Sequence, residues 1–81
     1  MPTKIELHDV VALLEDVETK HFLTHEPLRL RRGQVGTVVT SLNDDHFQVE
    51  FAGRDGRAYA MLPLSGSQLM VLREQPEAIP A

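Results

Sequence analysis

The segment His46-Phe47-Gln48-Val49-Glu50-Phe51 constrains this chain more than any other. Apolar and polar residues alternate strictly along it, which sets Phe47, Val49 and Phe51 on one face of a strand and His46, Gln48 and Glu50 on the other. One dry face and one wet face is the pattern of an antiparallel sheet. Turn signals stand on both sides: Asn43-Asp44-Asp45, whose short side chains bond neighbouring backbone groups, and Gly53-Arg54-Asp55-Gly56. A strand between two tight turns needs a partner on each side. Thr37-Val38-Val39-Thr40-Ser41-Leu42 leads in, and Arg57-Ala58-Tyr59-Ala60-Met61-Leu62 leads out, with Pro63 ending it because proline cannot donate to a ladder.

Two further strands complete the reading. Asp9-Val10-Val11-Ala12-Leu13-Leu14 is a short apolar run rich in valine, and Leu69-Met70-Val71-Leu72-Arg73 closes the ordered part after a short 3₁₀ turn within Leu64-Ser65-Gly66-Ser67-Gln68. Between the first two strands lies a long polar loop from Glu15 to Arg32, interrupted by Phe22-Leu23 and by Leu28 and Leu30. It enters the next strand through Arg32-Gly33-Gln34-Val35-Gly36, where two glycines bracket a tight turn. The expected fold is all-β: a small five-stranded barrel over residues 1–73 with a long first loop, followed by a flexible tail over 74–81. Val11, Leu13, Val38, Phe47, Val49, Phe51, Met61, Leu69 and Val71 are the expected core. Phe22, Leu23, Leu28 and Leu30 would pack the first loop against it.

Composition narrows the function classes. The chain has 81 residues and no cysteine, so one modest core must form without a disulfide or a cysteine-ligated metal. No apolar run approaches the roughly 20 residues that cross a bilayer, and the start lacks a signal-peptide pattern, so a cytoplasmic protein with no membrane role is expected. His21 and His25 stand four apart, with His8 and His46 elsewhere, but nothing around them specifies the helix that would aim both rings at one metal. Ser41, Ser65 and Ser67 occur without a nucleophile elbow, and Asp44-Asp45 sits in a turn. No enzyme activity, cofactor, metal or small-molecule substrate is expected.

The net charge of −4 is unevenly distributed: residues 1–18 carry a local −4, and residues 27–36 a local +3 from Arg29, Arg31 and Arg32. In Leu28-Arg29-Leu30-Arg31 alternation puts the leucines on one face and the arginines on the other. The arginines either hold an acidic group of a partner or pair with Glu15, Asp16 or Glu18 at a strand edge.

The ordered pieces Leu7-His8-Asp9-Val10-Val11-Ala12-Leu13, Arg31-Arg32-Gly33-Gln34-Val35-Gly36-Thr37-Val38-Val39, Val49-Glu50-Phe51, Asp55-Gly56-Arg57 and Leu69-Met70-Val71-Leu72 resemble the short bacterial proteins grouped as domain-of-unknown-function family 4926. Gly33-x-x-Gly36-Thr37-Val38 is also similar to the KOW element of ribosomal and transcription-elongation proteins. His25-Glu26-Pro27 with Arg32-Gly33-Gln34-Val35-Gly36 resembles the SH3-like domain of the nitrile hydratase β subunit. All three resemblances imply an SH3-like barrel.

The expected function is a protein-interaction module of the accessory, antitoxin-like or immunity-like kind. It would meet a partner protein, or a second copy of itself, through the long first loop and its arginine patch, with Phe22, Leu28, Arg29, Arg31, Arg32 and Tyr59 as contact residues. The alternative is a KOW-like module contacting RNA or the ribosome through Gly33, Gly36 and the arginines, a binding mode that must weaken steeply with salt.

Overall fold

The computed structural model describes residues 4–80. Seven strands run in the order β1 (Val10–Leu13), β2 (Val17–Lys20), β3 (Pro27–Leu30), β4 (Val35–Ser41), β5 (His46–Ala52), β6 (Ala58–Ser65) and β7 (Leu69–Val71), with a 3₁₀ turn at Gly66–Gln68 before β7. The fold is all-β. Five strands form one antiparallel sheet in the order β6-β5-β4-β1-β7, and β2 and β3 form a separate two-stranded ribbon.

The alternation in β5 is realised. Phe47, Val49 and Phe51 are buried at the centre of the core, together with Val11, Leu13, Val38 and Leu69. Asn43 closes the turn before β5 as its chemistry demands, its Oδ1 accepting from the backbone N–H groups of Asp45 (2.9 Å) and His46 (3.0 Å). Before β7, Ser65 and Gln68 bond each other reciprocally in a capping box, which stops β6 and turns the chain.

Four expectations are corrected. The first loop is not featureless: Val17 pairs with Leu30 and Thr19 with Leu28, so it folds back on itself as the β2–β3 ribbon. Strand β6 runs through Pro63, which sits opposite Gln48. An edge strand accepts proline where the missing N–H would face away from the sheet. Met61 is 39% exposed and not core, because it pairs with outward-facing Glu50; Ala60, Leu62 and Leu64 instead point inward opposite Phe51, Val49 and Phe47. Val71 is only half-buried against the cluster. The expected all-β, five-stranded sheet with its 3₁₀ turn before the last strand is present, and it is not closed by hydrogen bonds, since β6 and β7 both end it as edges. Strand β7 spans only three residues, and the β2–β3 ribbon meets β6 where Phe22 N–H donates to the Tyr59 carbonyl at 3.0 Å.

Gly33 and Gly36 do different work. Gly33 has φ +91°, which the turn into β4 requires and which L side chains avoid. Gly36 lies inside β4 opposite Val11, and a Cβ there would stand 2.8 Å from Val49 Cγ1 and 2.9 Å from both the Glu50 carbonyl oxygen and Phe51 Cε1. It lets β4 and β5 approach over the Phe51 ring.

Candidate interaction surfaces

Of the six residues singled out in the sequence, Leu28 and Arg29 lie on β3, Phe22 in the tip between β2 and β3, and Arg31 and Arg32 just past β3, while Tyr59 on β6 meets Phe22 through its carbonyl. Leu30 points into the core and Leu28 is half-buried, whereas Arg29 faces solvent, as the alternation requires. Tyr59 on β6 is half-buried against the core, and its carbonyl holds Phe22. Its hydroxyl accepts from Gln34 Nε2 at 2.6 Å, while Gln34 Oε1 accepts from the Arg31 backbone N–H at 2.8 Å. Gln34 therefore couples the end of the ribbon to the edge strand, a role the sequence did not announce. At the ribbon tip the Phe22 ring stacks on His21 with centroids 5.8 Å apart, and Leu23 is 70% exposed. Leu23 does not pack the loop against the core.

The arginine patch is largely neutralised from within. Arg29 Nη2 lies 3.4 Å from Glu18 Oε1, and Arg31 Nε lies 3.4 Å from Asp16 Oδ2. Asp16 also accepts the Arg32 backbone N–H at 2.8 Å. That hydrogen bond is the main cause holding the Asp16 carboxyl below its ordinary value; limited desolvation opposes it, and the charges of Arg31 and Arg29 add to it. The −4 and +3 segments that stand apart in sequence thus face each other across one hairpin. Arg32 contributes its backbone to this arrangement, and its side chain is exposed.

The histidines serve the backbone. His21 Nδ1 accepts from the N–H groups of Leu23 (3.1 Å) and Thr24 (3.3 Å), and His25, at φ +65°, donates its N–H to the His21 carbonyl at 2.8 Å. Among the described residues no group of three or more His, Asp or Glu side chains is placed to hold a metal. Ser65 and Ser67 share a hydrogen bond of 2.9 Å, and the Ser65 hydroxyl accepts the Ser67 N–H at 3.2 Å, so these hydroxyls shape the 3₁₀ turn.

A second surface lies on the solvent side of the main sheet. Strand β1 sits between β4 and β7, with Ala12 opposite Val35 on one side and Met70 on the other. Val10 lies beside Thr37, and Leu72 bonds it through the backbone, Leu72 N–H to the Val10 carbonyl at 2.9 Å. Val10, Val35, Met70 and Leu72 are each between 38% and 49% exposed, and together they shield outward-facing Ala12 to 5%. This is a contiguous apolar face that continues to the open edge at β7. The sequence hid it, because Val10-Val11-Ala12-Leu13 is apolar throughout and does not say which side faces water.

Among the described residues no helix is long and apolar enough to cross a membrane. No curated protein and no solved structure matches the chain. A family described as Domain of unknown function (DUF4926) matches residues 7–71, a span that holds both the ribbon and the outer apolar face. The chain therefore belongs to this family of proteins of unknown function.

Proposed function

We propose that the chain is a small non-enzymatic protein-interaction module, SH3-like in its connections, that docks a partner protein on the outer face of β4, β1 and β7. The observation that carries this reading is the apolar row Val35, Ala12 and Met70, flanked by Val10 and Leu72. Exposed apolar residues scattered singly need no explanation, but a contiguous patch on so small a domain marks a contact surface. The ribbon supplies a second, smaller contact through Phe22, Leu23 and Leu28, with Arg29, Arg31 and Arg32 at its rim and Tyr59 behind it. An RNA or ribosome contact has less support, since Arg29 and Arg31 already face carboxylates and a phosphate would compete with them.

The test is the native size of the protein in its own cells. The double variant Val35→Thr with Met70→Lys should keep the fold and lose a larger, stoichiometric assembly formed by the wild type. An assembly that persists unchanged in the variant overturns the reading. So does a wild type that runs as a lone 9.1 kDa chain under every condition of growth.

A further inference from the structure

At one end of the sheet an open groove of about 700 Å³ runs between the N-terminal segment, the β4–β5 turn and the 3₁₀ turn. Ile5, Leu14, Phe47 and Leu69 line it with apolar side chains, and the exposed Lys4, Asp44 and Asp45 bring charged groups to its rim. Leu14 is exposed there, whereas Phe47 and Leu69 are buried members of the core.

Among the described residues the ion pairs engage Glu6, Asp16, Glu18 and Asp55, and neither Asp44 nor Asp45 has a cation partner. Lys4, at the mouth of the groove, has its Nζ 3.9 Å from Glu6. The rim is also held in place. Asn43 Oδ1 fixes the backbone of Asp45, the Asp45 carbonyl accepts the Gly66 N–H at 2.8 Å, and Asp45 Oδ2 accepts from Ser65 Oγ at 3.4 Å. A preorganised turn presents its charges without an ordering cost on binding.

We propose that this groove takes a short segment of a partner protein in which an arginine or lysine stands next to a large apolar side chain. The apolar group would lie on Leu14 and Phe47, and the cation would meet Asp44 and Asp45. Charge complementarity selects this occupant: among the described residues Asp44 and Asp45 have no ion-pair partner, whereas Lys4, the cation beside them, faces Glu6, so the unpaired charge here is negative and disfavours nucleic acid. The groove is only about half enclosed, whereas small-molecule sites enclose most of their ligand. This proposal goes beyond the outer-face reading and occupies different residues, so each can fail while the other stands.

The test uses the full chain and a capped hexapeptide of alternating arginine and leucine, with a glutamate-and-leucine peptide as its counterpart, read by amide chemical shifts. The arginine peptide should move the amides of Asp44, Asp45, Gly66 and Ser67, and the glutamate peptide should not. Asp44→Lys should weaken binding at least tenfold and Asp44→Asn by less, each with an otherwise native spectrum. The proposal is overturned if the arginine peptide perturbs no amide or only those of another surface, if the glutamate peptide binds equally, or if both Asp44 variants bind as the wild type does.

Discussion

Arg31 and Asp16 face each other at the base of the ribbon with Nε and Oδ2 3.4 Å apart, and Asp16 holds the backbone of Arg32 through its other oxygen. Charges that segregate along the chain therefore cancel in space. Of the two readings the sequence leaves open for the arginines, Arg29 and Arg31 realise the internal pairing, and the apolar faces become the stronger candidates for contact.

Acid pH tests the Asp16 arrangement. A carboxyl held below its ordinary value of 3.8 contributes stability that is fully present at neutral pH and is lost as the pH falls below 3.8 through the folded-state value. Denaturant midpoints followed from neutral to strongly acid pH should fall less steeply in Asp16→Asn than in the wild type. The effect is small because both side chains are solvated. Equal slopes would show that Asp16 does not anchor the hairpin.

Gly36 should be intolerant for a reason distinct from that of Gly33. Gly36→Ala forces a methyl group against Phe51 and the Glu50 carbonyl, overpacking that costs about 1–3 kcal/mol. Gly33→Ala meets open space but must hold φ +91°, at a cost of about 1–2 kcal/mol from backbone conformation alone. Replacing Gly33 by asparagine, which tolerates that region, should recover part of the loss; no residue should rescue position 36. Equilibrium unfolding of the three variants checks this.

Leu30 on β3 and Leu23 at the ribbon tip should part company. Leu30→Ala empties a buried site and should cost about 2–5 kcal/mol, whereas Leu23→Ala at the exposed tip should change stability by less than about 0.5 kcal/mol. Urea unfolding distinguishes them, and a Leu23 effect as large as that of Leu30 would contradict the placement of the tip.

Gln34 and Tyr59 should behave as a pair. Tyr59→Phe removes the 2.6 Å hydrogen bond and should cost about 1 kcal/mol, Gln34→Ala also removes the bond from the Arg31 N–H and should cost more, and the double variant should cost less than the sum of the two. Strict additivity in the double-mutant cycle would mean that the two side chains do not cooperate.

How much of this was legible depends on how local the determining contact is. Strand β5 and its preceding turn are written in adjacent residues, in the alternation from His46 to Phe51 and in Asn43. The ribbon was half legible: Leu28-Arg29-Leu30 gave its faces, but its pairing with Val17 and Thr19 joins residues on either side of the polar tip. Met61 was misplaced because the inward side of β6 is set by register with β5, and Ala60 and Met61 give no local clue to it. The reason for Gly36 was invisible, since it lies in the Phe51 ring across the sheet. The outer face was hidden by the same distance: Val35, Ala12 and Met70 come from three separate segments and meet only when β1 takes its place between β4 and β7.

The central claim, that the outer face of β4, β1 and β7 is a protein-binding surface, is tested most directly by site-resolved crosslinking in living cells of the source organism. A photoreactive phenylalanine analogue replaces Val35 or Met70 in turn, and Arg54 at the exposed β5–β6 turn serves as the control. The account predicts one discrete adduct, of the same mass from positions 35 and 70 and missing from position 54, that disappears when the remaining face residue is changed to lysine. No adduct from positions 35 and 70, or the same adduct from all three positions, would contradict it.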